Sequence, residues 1–257
     1  MIHLRLGECK VSLDQGELVS FKHLEHEFIH QKGSPGWRSA DTEMFPIIGP
    51  VNEANFRVEV PEGTAIQDQH GLLRELDYVL EDKSDVHVVF SKTYVAGTKV
   101  KNSKFPAKST EEWLSWPYSF SFTKRFDLTE NQLEISFSIS GVVGMPFMLG
   151  YHPAFKIHTD TPIILASGKE ITLDEVLAVG SRALQVEDCE LITLKDKRNI
   201  HIKTEGFGHF MCWTEVRNMV CIEPISFYPY AVAQKNLHEG FLELSDQETV
   251  FKTILKV

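Results

Sequence analysis

The run Glu134-Ile-Ser-Phe-Ser-Ile-Ser140 alternates polar and large apolar residues along its whole length. Successive side chains of an extended strand point to opposite faces, so Ile135, Phe137 and Ile139 share one face and the polar residues the other. The same period of two recurs from end to end, in Ile2/Leu4/Leu6, Val86/Val88/Phe90, Phe120/Phe122 and Ile200/Ile202. Half-buried antiparallel strands are the direct reading. Helical periodicity is scarce. Ser109-Thr-Glu-Glu112 ahead of Trp113-Leu-Ser-Trp116, and Thr172-Leu-Asp-Glu175 ahead of Val176-Leu177, read as capping boxes on one or two helical turns, stopped by Pro117 and Gly180.

Turn residues at Asp14-Gln-Gly16, Pro61-Glu-Gly63, Glu130-Asn131 and Ser167-Gly168 separate the strands at short intervals, and no Pro/Gly/Ser linker divides the chain. The expectation is an all-β protein with a single domain over residues 1–257, a large twisted sandwich or barrel whose concave face or mouth takes a ligand. The loop Thr98 to Thr110, with four lysines, reads as a solvated surface segment.

Composition narrows the partners. The formal charge is −10, from 36 acidic against 26 basic residues, which argues against a sequence-independent grip on nucleic acid or an anionic membrane. A small neutral molecule fits better. Cys9, Cys189, Cys212 and Cys221 show no CxxC spacing, so isolated buried thiols in a reducing compartment are expected rather than a disulfide framework. The first residues lack an apolar signal core, and no stretch reaches the roughly 18 apolar residues of a membrane span. A soluble, cytoplasmic protein is expected.

Three stretches carry candidate chemistry. In Met148-Leu-Gly-Tyr-His-Pro-Ala-Phe155, Gly150 permits close backbone approach and Pro153 withholds an N–H, so the ladder frays and leaves the His152 imidazole at its end. A histidine so placed gives or takes a proton near neutral pH, although one beside a strand is more often a packed, hydrogen-bonded residue. In Gln67-Asp-Gln-His70-Gly71-Leu-Leu-Arg74, Gly71 allows a ligand or a strand near His70, and Arg74 adds a fork of donors; the bland alternative is a turn histidine satisfied by backbone. In Met219-Val-Cys-Ile-Glu223-Pro224, an apolar strand ends on a carboxylate with Pro224 closing the ladder, and desolvation there raises the pKa of Glu223 unless it is paired. A general base and a buried, hydrogen-bonded Glu are about equally compatible with that pattern.

Taken in order, Phe45-Pro-Ile-Ile-Gly49, Gln69-His70-Gly71-x-x-Arg74, Gly150-Tyr-His152-Pro153-x-Phe155, Trp213 and Cys-Ile-Glu223-Pro224 resemble the signature of the aldose 1-epimerase (galactose mutarotase-like) family, nearest its shorter bacterial branch of sugar epimerases. The resemblance implies a single β-supersandwich in which His70, His152 and Glu223 meet in one cleft. It implies an isomerase that interconverts the α and β anomers of a free aldose, with no metal or other cofactor. Glu223 would take the proton of the anomeric hydroxyl and His152 would protonate the ring oxygen. His70 would hydrogen-bond the sugar and steady charge near the ring oxygen. Acid and base are expected to face each other across a gap the width of a pyranose. Trp37, Tyr151, Phe155, Trp213 and Phe227 stand near the motifs as candidate platforms for a sugar face, with core packing the commoner role.

The chain departs from the family at Pro50, where many relatives carry an arginine that anchors substrate; Arg57 is the candidate replacement. The substrate-binding set is then His70, Arg74, Trp213 and Arg57. A phosphorylated sugar would need two or more basic side chains around the cleft, and Arg74 is the one the motifs supply. Two alternatives remain: a non-catalytic carbohydrate-binding or regulatory protein using the same cleft, and a metal site built from His70, His152 and Glu223.

Overall fold

The computed structural model describes residues 1–257, and the alternating runs are strands in antiparallel ladders. The central run extends over Gln132–Gly141, with Leu133, Ile135, Phe137 and Ile139 fully buried. It pairs with Phe120–Leu128 on one side and Thr249–Lys256 on the other. These three strands lie inside a nine-stranded sheet that continues through His87–Tyr94 to the edge strand Val79–Lys83, and through Ile200–Glu205, Leu191–Lys195 and Ile163–Ala166 to Lys169–Thr172.

A six-stranded sheet contains, in order, Leu184–Val186, His209–Trp213, Met219–Ile225, Gly150–Tyr151 and Glu43–Met44, with Ala154–Lys156 also joined to Met219–Ile225. It packs on the large sheet through aromatic rings: Phe45 and Phe120 lie 4.9 Å apart between centroids, Phe137 and Tyr151 5.0 Å. An N-terminal sheet of four strands, Ile2–Leu6, Cys9–Asp14, Glu17–His23 and His26–Glu27, completes the main layers. One cluster of 63 buried residues runs from Leu4 to Leu255, each large apolar side chain contributing about 1.5–3 kcal/mol on leaving water. The architecture is the all-β sandwich expected from the alternation.

Of the two capping boxes, one forms. Thr172 Oγ1 accepts from the Glu175 N–H and Glu175 reaches back to the Thr172 N–H, opening the α-helix Leu173–Val179. The other does not. Trp113–Leu114 pairs with Val100–Lys101, and Ser115 exchanges backbone hydrogen bonds with Ile66. Here the period of two wins, because Leu114 and Trp116 are buried while Trp113 faces out.

That pairing also corrects the reading of Thr98–Thr110 as a solvated segment. Asn102 is buried and donates to Asp68 Oδ2 at 3.0 Å, while Lys104 Nζ lies 3.0 Å from Asp68 Oδ1 and 2.8 Å from the Gln69 carbonyl. The loop is folded onto the segment that carries His70.

Beneath the junction of the two large sheets, Lys124 is wholly buried between Asp41 and Glu43, at 2.8 and 2.6 Å. Tyr151 donates to Asp41 Oδ2 at 2.7 Å. All four cysteines are free and buried.

Candidate active site

His152 is placed by an interrupted ladder. Gly150 pairs with Ile225 and Ala154 with Cys221, so Tyr151, His152 and Pro153 lie in the gap between these two attachments. The His152 backbone bonds to Thr42 instead, its N–H donating at 2.8 Å. A methyl at Gly150 would meet the Met44 methyl at 2.4 Å, which accounts for the glycine. Pro224 does not close its strand as expected. Met219–Ile225 runs straight through it, every residue buried, because the missing proline N–H falls beside the same gap, where no partner is required.

Glu223 therefore points from the middle of a buried strand, and the two residues meet: His152 Nε2 lies 3.5 Å from Glu223 Oε1. A pyranose does not fit between groups this close. The expected arrangement, with a sugar between acid and base, does not hold at this distance. The anomeric hydroxyl and the ring oxygen are bonded to one carbon, so a sugar lying over the pair presents both oxygens to it at once.

Burial sets the protonation of both groups. It raises the Glu223 carboxyl well above its usual range. It lowers the His152 imidazole to about 3, with Arg74 adding to the effect. Burial thus favours the uncharged form of both groups, a carboxylic acid beside a neutral imidazole. Glu223 Oε2 and His152 Nδ1 are buried without a hydrogen-bond partner, an expense of a kind that concentrates at functional sites.

His70 joins them, its ring 5.5 Å from that of His152 and nearly perpendicular to it. A carbonyl can only accept, so the 2.9 Å contact between His70 Nδ1 and the Ile48 carbonyl puts the hydrogen on Nδ1. Burial, Arg74 and His152 hold the His70 pKa well below its ordinary value, which leaves Nε2 an acceptor. The neighbouring glycine answers to backbone rather than ligand. Gly71 has φ of +70°, and a methyl there would stand 2.1 Å from the Phe45 carbonyl oxygen.

These groups line a cleft of about 720 Å³, room enough for a hexose, together with Trp37, Arg74 and Trp213. Trp37 stacks on His152 at 4.3 Å, and Trp213 meets it edge-on at 6.1 Å. The other candidate aromatics lie elsewhere. Tyr151 and Phe155 are in the core, and Phe227 packs over Gly240. Arg57 does not reach the cleft, because its guanidinium bonds to Glu111 at 3.0 Å and to the Asn55 carbonyl on the surface of its hairpin. Arg38 lines the cleft along with Pro50. Sequence reasoning missed Arg38, Lys104, Lys108 and Tyr230, which also line it. Lys104 and Lys108 had a signal in the lysine-rich loop; Arg38 and Tyr230 had none in periodicity or motif.

The trio close enough to share a metal is His152, Cys221 and Glu223, with ligand atoms within 4.8 Å of one another, rather than a set including His70. Burial raises the Cys221 thiol well above its ordinary value, and nearby Glu223 adds to this, which disfavours the thiolate a metal would need. The arrangement is better suited to moving a proton between Glu223 and His152 than to holding an ion. No helix is long and apolar enough to cross a membrane.

The sequence model of the family described as Aldose 1-epimerase matches residues 53–223. A galactose mutarotase-like protein from Lactobacillus casei ATCC 334 superposes with a TM-score of 0.77 at 18% identity, covering 99% of each chain. A galactose mutarotase related enzyme from Lactobacillus acidophilus gives 0.75 at 20% identity, covering 99% of this chain and 96% of that one. At these identities the likeness speaks for a shared fold, the galactose mutarotase-like β-supersandwich. Comparison with the curated proteins finds no match.

Proposed function

The chain belongs to the aldose 1-epimerase family, and from that premise we propose that it interconverts the α and β anomers of an aldose, working as one galactose mutarotase-like domain over residues 1–257 in the cytoplasm. The observation that carries this reading is the close pair of Glu223 and His152, each buried in the cleft with an unpartnered polar atom.

A mutarotase needs one base and one acid at a single carbon. Moving the proton across the 3.5 Å gap from Glu223 to His152 turns the neutral pair into carboxylate and imidazolium without changing its proton count. A hydrogen bond from the anomeric hydroxyl to Glu223 favours the carboxylate form. Glu223 then takes the hydroxyl proton, the C1–O1 bond gains carbonyl character, and the C1–O5 bond breaks as O5 takes the proton of His152. The open-chain aldehyde rotates about C1–C2. On closure O5 attacks the other face of C1, His152 recovers its proton from O5, and Glu223 returns one to O1. His70, as a neutral acceptor at Nε2, receives a hydrogen bond from a sugar hydroxyl. Trp37 and Trp213 offer apolar faces, and Arg74 donates to oxygens of the sugar.

NMR exchange spectroscopy on freshly dissolved aldoses tests the reading. Exchange between anomers faster than the enzyme-free rate, and lost in Glu223→Gln, supports it. Sugar binding without faster exchange would leave a carbohydrate-binding protein that uses the same cleft.

A further inference from the structure

Four basic side chains converge on the cleft of a chain whose net charge is −10: Arg38, Arg74, Lys104 and Lys108. The carboxylates on the same walls are Asp68, Glu215 and Glu223. Burial raises the Glu223 carboxyl well above its usual range, which favours its neutral form, and Asp68 is already bonded to Asn102 and Lys104. The ion-paired arginines of the protein are Arg57, Arg125 and Arg217; Arg38 and Arg74 have no such partner. Lys108 has none either. Lys104 has one, and its pairing leaves an N–H to spare after Asp68 and the Gln69 carbonyl.

These cations are close enough to oppose one another. Burial lowers the Arg74 pKa, Glu75 and Asp68 offset this in part, and Arg38 pushes it down further. Burial likewise lowers that of Lys104, with Asp68 acting against it and Arg74 with it. Holding like charges together in a partly desolvated cleft is costly unless an anion is to share them. The arrangement also has a direction. Lys104 is bonded to Asp68 and to the Gln69 carbonyl, next to His70 in the chain, and it acts on His70, whereas Arg74 acts on both His70 and His152. Lys104 therefore lies on the His70 side of the cleft.

Resting on the mutarotase reading and narrowing its substrate class, we propose that the aldose taken by this cleft carries an anionic group remote from its anomeric carbon, a phosphate monoester or a carboxylate, held by Arg38, Arg74, Lys104 and Lys108. Arg74 acts on both His152 and His70, and the several N–H donors of one guanidinium can serve a sugar oxygen and the anion together. Arg38 brings its charge to the cleft from the loop before Glu43–Met44, separate from the turn that carries Arg74.

The test compares glucose, glucose 6-phosphate and glucuronate, and the galactose counterparts, by NMR anomer exchange above the enzyme-free rate. A kcat/KM at least tenfold higher for the phosphate or the uronate than for the parent sugar is expected, and which of the two leads identifies the anion. The double variant Arg38→Met/Lys108→Met should shrink that ratio about tenfold, and added salt should raise KM for the charged sugar alone. A parent sugar turned over as well as its charged derivatives overturns the proposal. Binding to Glu223→Gln separates this outcome from failure of the mutarotase reading. If no sugar exchanges faster, yet the charged sugar binds this variant at least tenfold more tightly than its parent, the substrate class stands and the reaction falls. If no sugar shows that preference, or none binds, the substrate class falls.

Discussion

Oε1 of Glu223 and Nε2 of His152 stand 3.5 Å apart, a carboxyl and an imidazole brought together from adjoining strands of one sheet at the point where their ladder is interrupted. Because the interruption removes backbone competitors, the side chains can face each other and a ligand. At that distance a charge placed on either group changes the proton affinity of the other.

Glu223→Gln keeps the shape and the buried volume but removes the base. The expected result is a fall in kcat of about 10²–10⁴ with sugar affinity retained, read by exchange spectroscopy and by titration. A rate within threefold of the wild type would remove Glu223 from the mechanism.

The acid limb of the stability profile should depend on His152. Its folded pKa is depressed to about 3 from the ordinary 6.5, so the unfolded chain takes up the proton first. The stability it contributes is whole above pH 6.5 and is lost as the pH falls from there toward 3. Between pH 7 and pH 4 that loss is about 3 kcal/mol. His26, depressed to about 4, acts in the same direction. Urea unfolding of His152→Gln at both pH values should show a smaller drop than the wild type; an equal drop contradicts the assignment.

Lys124→Met should be far more damaging than the loss of a surface pair. It strands Asp41 and Glu43, both buried, at a cost of about 3–5 kcal/mol. Lys252→Met, which breaks a partly exposed pair with Glu134 at 3.0 Å, should cost about 0–1 kcal/mol. Denaturant midpoints of the two variants decide the matter.

Gly71→Ala and Gly7→Ala form an internal control. Both residues have positive φ, but only at Gly71 does the added methyl collide with backbone, 2.1 Å from the Phe45 oxygen; nothing lies within 4 Å at Gly7. Gly7→Ala should lose about 1–2 kcal/mol from backbone strain alone. Gly71→Ala should lose at least about 2 kcal/mol more, and weaken sugar binding as His70 shifts. Equal denaturant midpoints would show that the backbone at Phe45 yields freely.

Arg57→Ala should leave KM and kcat within about twofold, since its guanidinium is engaged with Glu111 outside the cleft. A large rise in KM would return Arg57 to the binding set.

The layered architecture was readable because its signal is local. Ile135, Phe137 and Ile139 announce a strand wherever it packs, and Thr172 with Glu175 announces a helix start. His152 and Glu223 were legible because prolines mark their strands. What the sequence could not supply was the interval between them, which depends on strand register, and hence the way a sugar must lie. That Arg38 and Lys104 reach the cleft was hidden for a related reason. Each sits in a loop, and the loop's path follows from tertiary bonds such as Asn102 to Asp68, which leave no periodic trace. The Ser109–Glu112 box misled because a four-residue motif was outweighed by burial of Leu114 and Trp116.

None of the residues lining the cleft comes from the nine-stranded sheet; they come from the smaller sheet, the loops around it and the short turns. Endurance and turnover are thus lodged in separate parts of the polypeptide. Drift in the broad layer can raise or lower the melting point while leaving the reacting groups undisturbed, and new tastes in sugar can be acquired by rewriting loops over an unchanged foundation.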